Sequence, residues 1–189
     1  AMKKSILLSI ILSLSLVACI PQAMAQKQSR MEKLLRYLND NDTEKWQKNR
    51  EKVDNDTKAY YAEELALLDV LNGLWNEQSE QAATDYFGCY GKAFQGNFST
   101  ICDEEKIQLS DVRNRAEQSI IYILEGSKDK IPFSRAVIDS IRSTDYPADS
   151  VMLQRLRDIR ELALLECMLK TPTPGTCLLY TSPSPRDTR

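Results

Sequence analysis

Hydrophobic residues recur at spacings of three and four along most of the chain, which is the period of an α-helix with one buried face. In the first such segment, Ser29 and Glu32 have the spacing of a capping box, which predicts that a helix begins there. The polar turn 39–42 ends this helix, and Asp42 or Thr43 can cap a second one. The two helices are predicted to bury Met31, Leu34, Leu35 and Leu38, followed by Trp46 and Val53.

Five further helices are predicted from the same period. The third begins at Asp56 or Thr57, runs to Trp75 and has a wide apolar surface, so we expect it to be central. No segment shows the alternation of a β-strand, so the predicted fold class is all-α, with antiparallel helical hairpins in an irregular bundle or a short α-solenoid. The fourth predicted helix runs from Ser79 to Gly96 and Asn97, and the fifth from about Asp103 to Gly126. The sixth runs from Phe133 to Ser143 with Pro132 in its first turn, and the seventh runs from Asp149 or Ser150 to a stop at Pro172.

One predicted hairpin, from Leu68 to Phe94, resembles a tetratricopeptide repeat. The positions that carry the resemblance are a Leu and an aromatic residue in the first helix and small, aromatic and small residues in the second: Leu71, Trp75, Ala82, Tyr86 and Cys89. The resemblance covers this hairpin alone, its turn is shorter than the family's, and the following helices do not repeat it. It implies binding of a protein or peptide in a concave groove and implies no catalysis.

The N-terminus has the pattern of a signal peptide. Lys3 and Lys4 precede an apolar run, 6–20, that is too short for a comfortable membrane span. Ala23-Met24-Ala25 then offers a cleavage site, which predicts a signal peptide over 1–25 and a mature start at Gln26. The alternative is a lipobox at 16–19 with Cys19 as the lipidated residue. Both interpretations predict an exported bacterial protein, periplasmic or at the cell surface, whose mature chain has no membrane span and carries a lipid anchor only in the second.

The C-terminus changes abruptly in composition. Two Ser-Pro pairs and the lack of periodicity predict a disordered tail over 173–189, after a helical domain over 26–172. Residues 177–187, CLLYTSPSPRD, also resemble the translation of a transposase adaptor used to prepare sequencing libraries. On that interpretation 177–189 is an artefact, and the gene continued beyond Thr176.

The charge of the predicted mature domain is acidic. Without the leader and the tail it holds 21 basic and 26 acidic residues, compared with 25 and 27 in the full chain. Nucleic-acid affinity depends on basic contacts to phosphates, and no basic stripe is present, so we expect no nucleic-acid partner.

Several catalytic chemistries lack their residues. The chain contains no histidine, which excludes Ser-His-Asp and Cys-His systems and histidine-ligated metals from this chain. Its glycines are scattered, so no phosphate-binding loop is predicted. One run, Asp40, Asp42, Glu44 and Glu51, matches positions of a calcium loop, but Lys45 stands where the loop needs Gly, which favours a capped helical turn. We therefore predict a non-enzymatic protein without a metal or cofactor.

Aromatic residues exceed what one buried stripe uses. Tyr60, Tyr61, Tyr86 and Tyr90 are therefore candidates for the lining of a binding groove, and the alternative is that they belong to the core.

Three cysteines lie between the leader and the tail, an odd number for an oxidising compartment. Cys89 and Cys102 stand close enough in the chain to predict a structural disulfide. Cys167 falls on an apolar helix face, which predicts a buried thiol, or a thiol paired with a cysteine beyond Thr176.

The function predicted from these observations is an exported bacterial helical domain, without enzymatic activity, that binds a protein, peptide or envelope component as the N-terminal part of a longer protein. Two alternatives stay open. The domain is an accessory to an enzyme encoded downstream, or it is a small stand-alone protein that binds a ligand.

Overall fold

The structure, a computed structural model, describes residues 24–94, 96–147 and 150–170. Residues 1–23, which hold Cys19 and most of the predicted leader, and residues 171–189, which hold the predicted tail and the proposed artefact, lie outside these residues. Every regular element of the described residues is a helix and none is a strand, so the predicted all-α class is confirmed. The helices are α1 (24–39), α2 (Thr43–Glu51), α3 (Asn55–Tyr60), α4 (Ala62–Trp75), α5 (Glu80–Phe94), α6 (Phe98–Glu104), α7 (Leu109–Gly126), α8 (Lys130–Arg142) and α9 (Ser150–Lys170).

Several predicted helix ends are confirmed. The Asp42 carboxylate caps α2 by accepting a hydrogen bond from the backbone N–H of Lys45 at 3.1 Å. The Ser79 hydroxyl accepts one from Ala82 N–H at 3.3 Å before α5 begins. Gly126 is the last residue of α7, and Pro132 lies in the first turn of α8, where a missing N–H costs nothing.

The prediction that the first helix begins with a capping box at Ser29 is wrong, because α1 already includes residues 24–28. Those residues are Met, Ala, Gln, Lys and Gln, which all favour a helix, so the helix continues upstream of Ser29.

The predicted third helix is two helices. Asp54 caps α3 by accepting from Thr57 N–H at 2.8 Å and from the Thr57 hydroxyl at 2.9 Å. The chain then turns at Tyr61, and α4 begins at the next residue. The segment is therefore bent where the apolar pattern alone predicts a straight helix.

The predicted fifth helix, from about Asp103, begins later, at Leu109, and an additional helix, α6, precedes it. Lys106 adopts a left-handed backbone conformation with φ of 58°. Its N–H bonds to the Asp103 carbonyl at 3.1 Å, and Ile107 N–H bonds to the Cys102 carbonyl at 2.9 Å. These two bonds form a Schellman motif, which ends α6.

The long helices pack as side-by-side hairpins. In chain order α4, α5, α7, α8 and α9 each contact the next helix of this series and the one after it. The helices approach closely in the hairpin of α4 and α5, where a Cβ placed on Gly73 would lie 2.7 Å from Ala82 Cβ. This is the hairpin that carries the tetratricopeptide resemblance. Membership of that family stays a prediction.

One hydrophobic core joins the helices. It is centred on α4 and α5, because α5 contacts α4, α6, α7 and α8. The third helix was predicted to be central, and this holds for its second part, α4, which buries eight of its 14 residues. The N-terminal helices join this core through residues such as Met31 and Leu35, and the Arg36 guanidinium also donates to both Glu105 carboxylate oxygens at 2.6 and 2.7 Å.

Candidate binding surface on α7 and α9

A groove of about 380 Å³ runs between α7 and α9. Its inner wall contains Ile121 and Met152, which are buried. Its rim carries Tyr122 and Val151, which are 61% and 73% exposed. The groove therefore exposes apolar side chains at its rim and continues inward onto the core.

Charged groups flank this groove. The Arg155 guanidinium donates to Glu125 Oε1 across it at 3.1 Å. On the side nearer the core, Glu117 Oε1 accepts from Arg113 Nε at 2.8 Å and from the Tyr146 hydroxyl at 2.7 Å. The carboxylate next to the core is thus held by two donors, whereas the pair at the rim is exposed and contributes little to stability.

An aromatic cluster lies behind the groove. Its members are all buried: Tyr86, Phe87, Tyr90 and Tyr146. The Phe87 and Tyr146 rings are 4.8 Å apart, and those of Tyr86 and Tyr90 are 5.1 Å apart, in the tilted and edge-to-face arrangements that aromatic rings favour. Burial raises the pKa of Tyr86 and Tyr146 well above the usual range and raises the pKa of Tyr90 to about 12. These hydroxyls are therefore neutral at physiological pH.

The predicted groove aromatics occupy two separate places. Tyr86 and Tyr90 meet in the aromatic cluster. Tyr61 is buried beside Tyr60, with ring centroids 4.8 Å apart. Tyr60 is 47% exposed, next to a cleft of about 100 Å³. Tyr61, Tyr86 and Tyr90 therefore belong to the core, which is the alternative stated for them, and of the four Tyr60 alone is exposed beside a cleft.

The C-terminal part of α9, residues 161–170, is called here the α9 tip. Four of its large apolar side chains are exposed, with Leu169 at 85% and Leu165 at 55%, whereas Leu164 is half-buried; the four are Leu162, Leu165, Met168 and Leu169. A difference in length explains this exposure. Helix α8 has 13 residues and α9 has 21, or about 20 and 32 Å, so α9 continues for about eight residues beyond the helix it pairs with.

The cysteines differ from their predicted states. Cys89 and Cys102 are free thiols, so the structure gives the proposed disulfide no support. Burial raises the pKa of both thiols to about 12. The prediction that Cys167 is buried is wrong, because it lies on the α9 tip and is exposed.

Sequence reasoning missed the binding surface itself. It treated the last helix as one apolar pattern, of which the structure buries Met152 and Leu156. It did not separate a second line of residues, offset by one position, that is exposed throughout. We call this line the α9 stripe, and its members are Val151, Arg155, Asp158, Leu162, Leu165 and Leu169. Their regular spacing of three and four is the signal that could have identified it.

Two surveys of the described residues bear on other kinds of site. Across 24–94, 96–147 and 150–170, no group of three or more His, Cys, Asp or Glu side chains is arranged to hold a metal ion. In the same part of the chain, none of the helices combines the length and the apolar composition needed to cross a bilayer.

Comparisons with known proteins return no relative. No protein-family model matches the chain, and neither a curated protein nor a solved structure matches it.

Proposed function

We propose that this protein is an exported, non-enzymatic helical domain that binds a protein or peptide on the surface formed by the α7–α9 groove and the α9 tip. The observation that carries the proposal is the exposure of four large apolar residues on the tip: Leu162, Leu165, Met168 and Leu169.

Energetics support a binding role for this surface. Burying a Leu or Met side chain completely contributes about 1.5–3 kcal/mol, so a partner that covers the α9 tip gains several such contributions. Helices with apolar residues on all sides are normally buried, and contiguous exposed apolar patches mark interaction sites. The groove extends the same surface towards the core through Tyr122 and Val151.

The chemistry of the described side chains supports a binding role over catalysis. The chain has no histidine to act as a general base near neutral pH. The thiols of Cys89 and Cys102, with pKa values of about 12, are protonated at neutral pH and are poor nucleophiles. Glu117 is held by Arg113 and Tyr146, which is a structural arrangement.

The proposed location rests on the leader pattern at 1–25. A cell-envelope address follows from it, and an exported helical domain with an uncovered apolar surface suits a role in assembling envelope proteins.

The test is selection of helical peptides from a display library on the purified protein, immobilised at low density. We expect binders with Leu, Ile, Phe or Met at spacings of three and four. Their affinity should fall about tenfold or more with Leu165→Glu, because the substitution places a charge in the apolar surface. Ala136→Glu is the matched control, since Ala136 is exposed on α8 and belongs neither to the α9 tip nor to the residues that line the groove. A library that gives no binders, or binders indifferent to Leu165→Glu, would contradict the proposal.

A further inference from the structure

The α9 stripe has the spacing of a coiled-coil seam. Its six positions alternate steps of four and three residues, and every member is exposed, from Val151 at the start of the helix to Leu169 near its end. An average of 3.5 residues keeps such a line facing one partner helix over several turns. The stripe is therefore shaped to receive a helix that lies along α9.

Two opposite charges interrupt this line at consecutive positions, Arg155 and Asp158. In a parallel pair of identical helices each charge would face itself, which is repulsive. In an antiparallel pair related by a two-fold axis near Leu156 and Arg157, Arg155 faces Asp158 of the second copy, and the reverse pair forms by symmetry. The same register places Val151 opposite Leu162.

The rest of the helix agrees with that register. Across 151–162, no basic residue faces a basic one and no acidic residue faces an acidic one, since Arg160 falls opposite Leu153 and Glu161 opposite Met152. A register shifted by one half-heptad, centred near Arg160, would instead set Arg155 against Leu165 and Asp158 against Leu162. It would desolvate each charge without an opposite charge.

Both charged residues can change partner at little cost. Arg155 is paired with Glu125 at 3.1 Å, and Asp158 accepts from the Gln154 side-chain amide at 2.7 Å. Both contacts are exposed, and exposed pairs of this kind contribute about 0–1 kcal/mol. Leu165 and Leu169 then lie beyond the first residue of α9 in the second copy.

We infer that the α9 stripe joins two copies of this chain as an antiparallel, two-fold symmetric dimer. The inference rests on the proposed function and identifies a second copy of this chain as the partner that binds the α9 stripe. A second copy is preferred to another occupant because the stripe is complementary to itself in both charge and apolar positions.

The test is sedimentation equilibrium of the purified protein across the micromolar range, with circular dichroism to confirm helical content in each variant. The wild type should form dimers. Arg155→Asp and Asp158→Arg should each raise the dimer dissociation constant about tenfold or more, because like charges then face each other. The double variant Arg155→Asp/Asp158→Arg should restore dimerisation, and Ala136→Glu should leave it unchanged.

A wild type that stays monomeric, or single variants that dimerise as well as the wild type, would overturn the inference. So would a double variant that is folded yet monomeric. A monomer that still binds selected peptides through Leu165 would refute the dimer and leave the proposed function standing. A dimer that responds to the charge exchange as expected but binds none of the peptides would support the dimer and contradict the proposed function.

Discussion

The centre of α5 and the tip of α9 are both rich in large apolar residues, and they have opposite surroundings. Helix α5 contacts α4, α6, α7 and α8, so Tyr86 and Phe87 are fully buried. The α9 tip extends beyond α8, so Leu165 and Leu169 face solvent. Apolar spacing shows that a helix face needs to be covered, and helix lengths decide whether a neighbour in the same chain reaches it. The first region stabilises the fold and the second is available to a partner.

Truncation of one residue in each region should show the largest difference. Phe87→Ala removes a ring from the centre of the core and should lower the free energy of unfolding by about 3–5 kcal/mol. Leu169→Ala removes an exposed side chain and should change it by less than about 0.5 kcal/mol. Urea unfolding followed by tryptophan fluorescence measures both at dilutions where the protein is monomeric. Similar losses in the two variants would show that the tip is packed within the single chain.

The close approach of α4 and α5 can be tested with two glycines. Gly73→Ala would place its Cβ 2.7 Å from Ala82 Cβ, so the helices must separate, at a cost of about 1–3 kcal/mol. Gly88→Ala is the matched control, because it lies within α5 with nothing within 4 Å of the added Cβ. This control should stabilise the protein by up to about 1 kcal/mol through helix propensity. A neutral Gly73→Ala would contradict the tight hairpin.

Alkaline pH should lower the free energy of unfolding through titration of the aromatic cluster, whereas the apolar residues of the α9 tip do not titrate. Burial raises the pKa of Tyr90 to about 12 in the folded protein, compared with about 10 in an unfolded chain. The unfolded state therefore releases this proton first, and the stability contributed by the neutral hydroxyl is complete below pH 10 and is lost towards pH 12. The free energy of unfolding should fall more steeply in the wild type than in Tyr90→Phe, by about 1.4 kcal/mol per pH unit.

Parallel slopes for wild type and Tyr90→Phe between pH 10 and 12 would show that Tyr90 is solvated. Leu169→Ala serves as a control, since it removes no titrating group and should keep the wild-type slope.

The smallest expected effect concerns two thiols near the core. Cys89 and Cys102, with pKa values of about 12, should resist alkylation by iodoacetamide at pH 8 in the folded protein. In guanidinium without reductant both should be alkylated, as free thiols are. Peptide mapping reads the outcome, and protection that persists until reductant is added would establish the disulfide predicted from sequence.

The sequence was sufficient for the fold class and for helix ends marked by strong signals. Asp42 and Ser79 cap helices through side-chain acceptors that their residue types make visible, and Gly126 is the last residue of α7. The fifth helix was predicted to start at about Asp103, where α6 in fact ends, because Lys106 occupies a left-handed position where Gly is usual. The bend at Tyr61 was missed because both sides of it carry helical spacing.

The binding surface was harder to predict than the fold. Tyr61, Tyr86 and Tyr90 were candidates for a groove because of their number, yet burial depends on which helices surround α5, and this is a tertiary property. Cys167 was expected to be buried because its helix face is apolar, and the excess length of α9 over α8 exposes it. Both errors come from assigning burial by residue type without the lengths and contacts of neighbouring helices.

The most direct test of this account is hydroxyl-radical footprinting by mass spectrometry, at increasing protein concentrations. At low concentration Met168 on the α9 tip should be oxidised readily, while Tyr86 and Phe87 stay protected until denaturant is added. As the concentration rises, Leu162 on the α9 stripe should become protected, because it faces Val151 of the second copy. Oxidation of Tyr86 as fast as the exposed Tyr122, or protection of Met168 at every concentration, would contradict the central claim that α5 forms the core and α9 the binding surface.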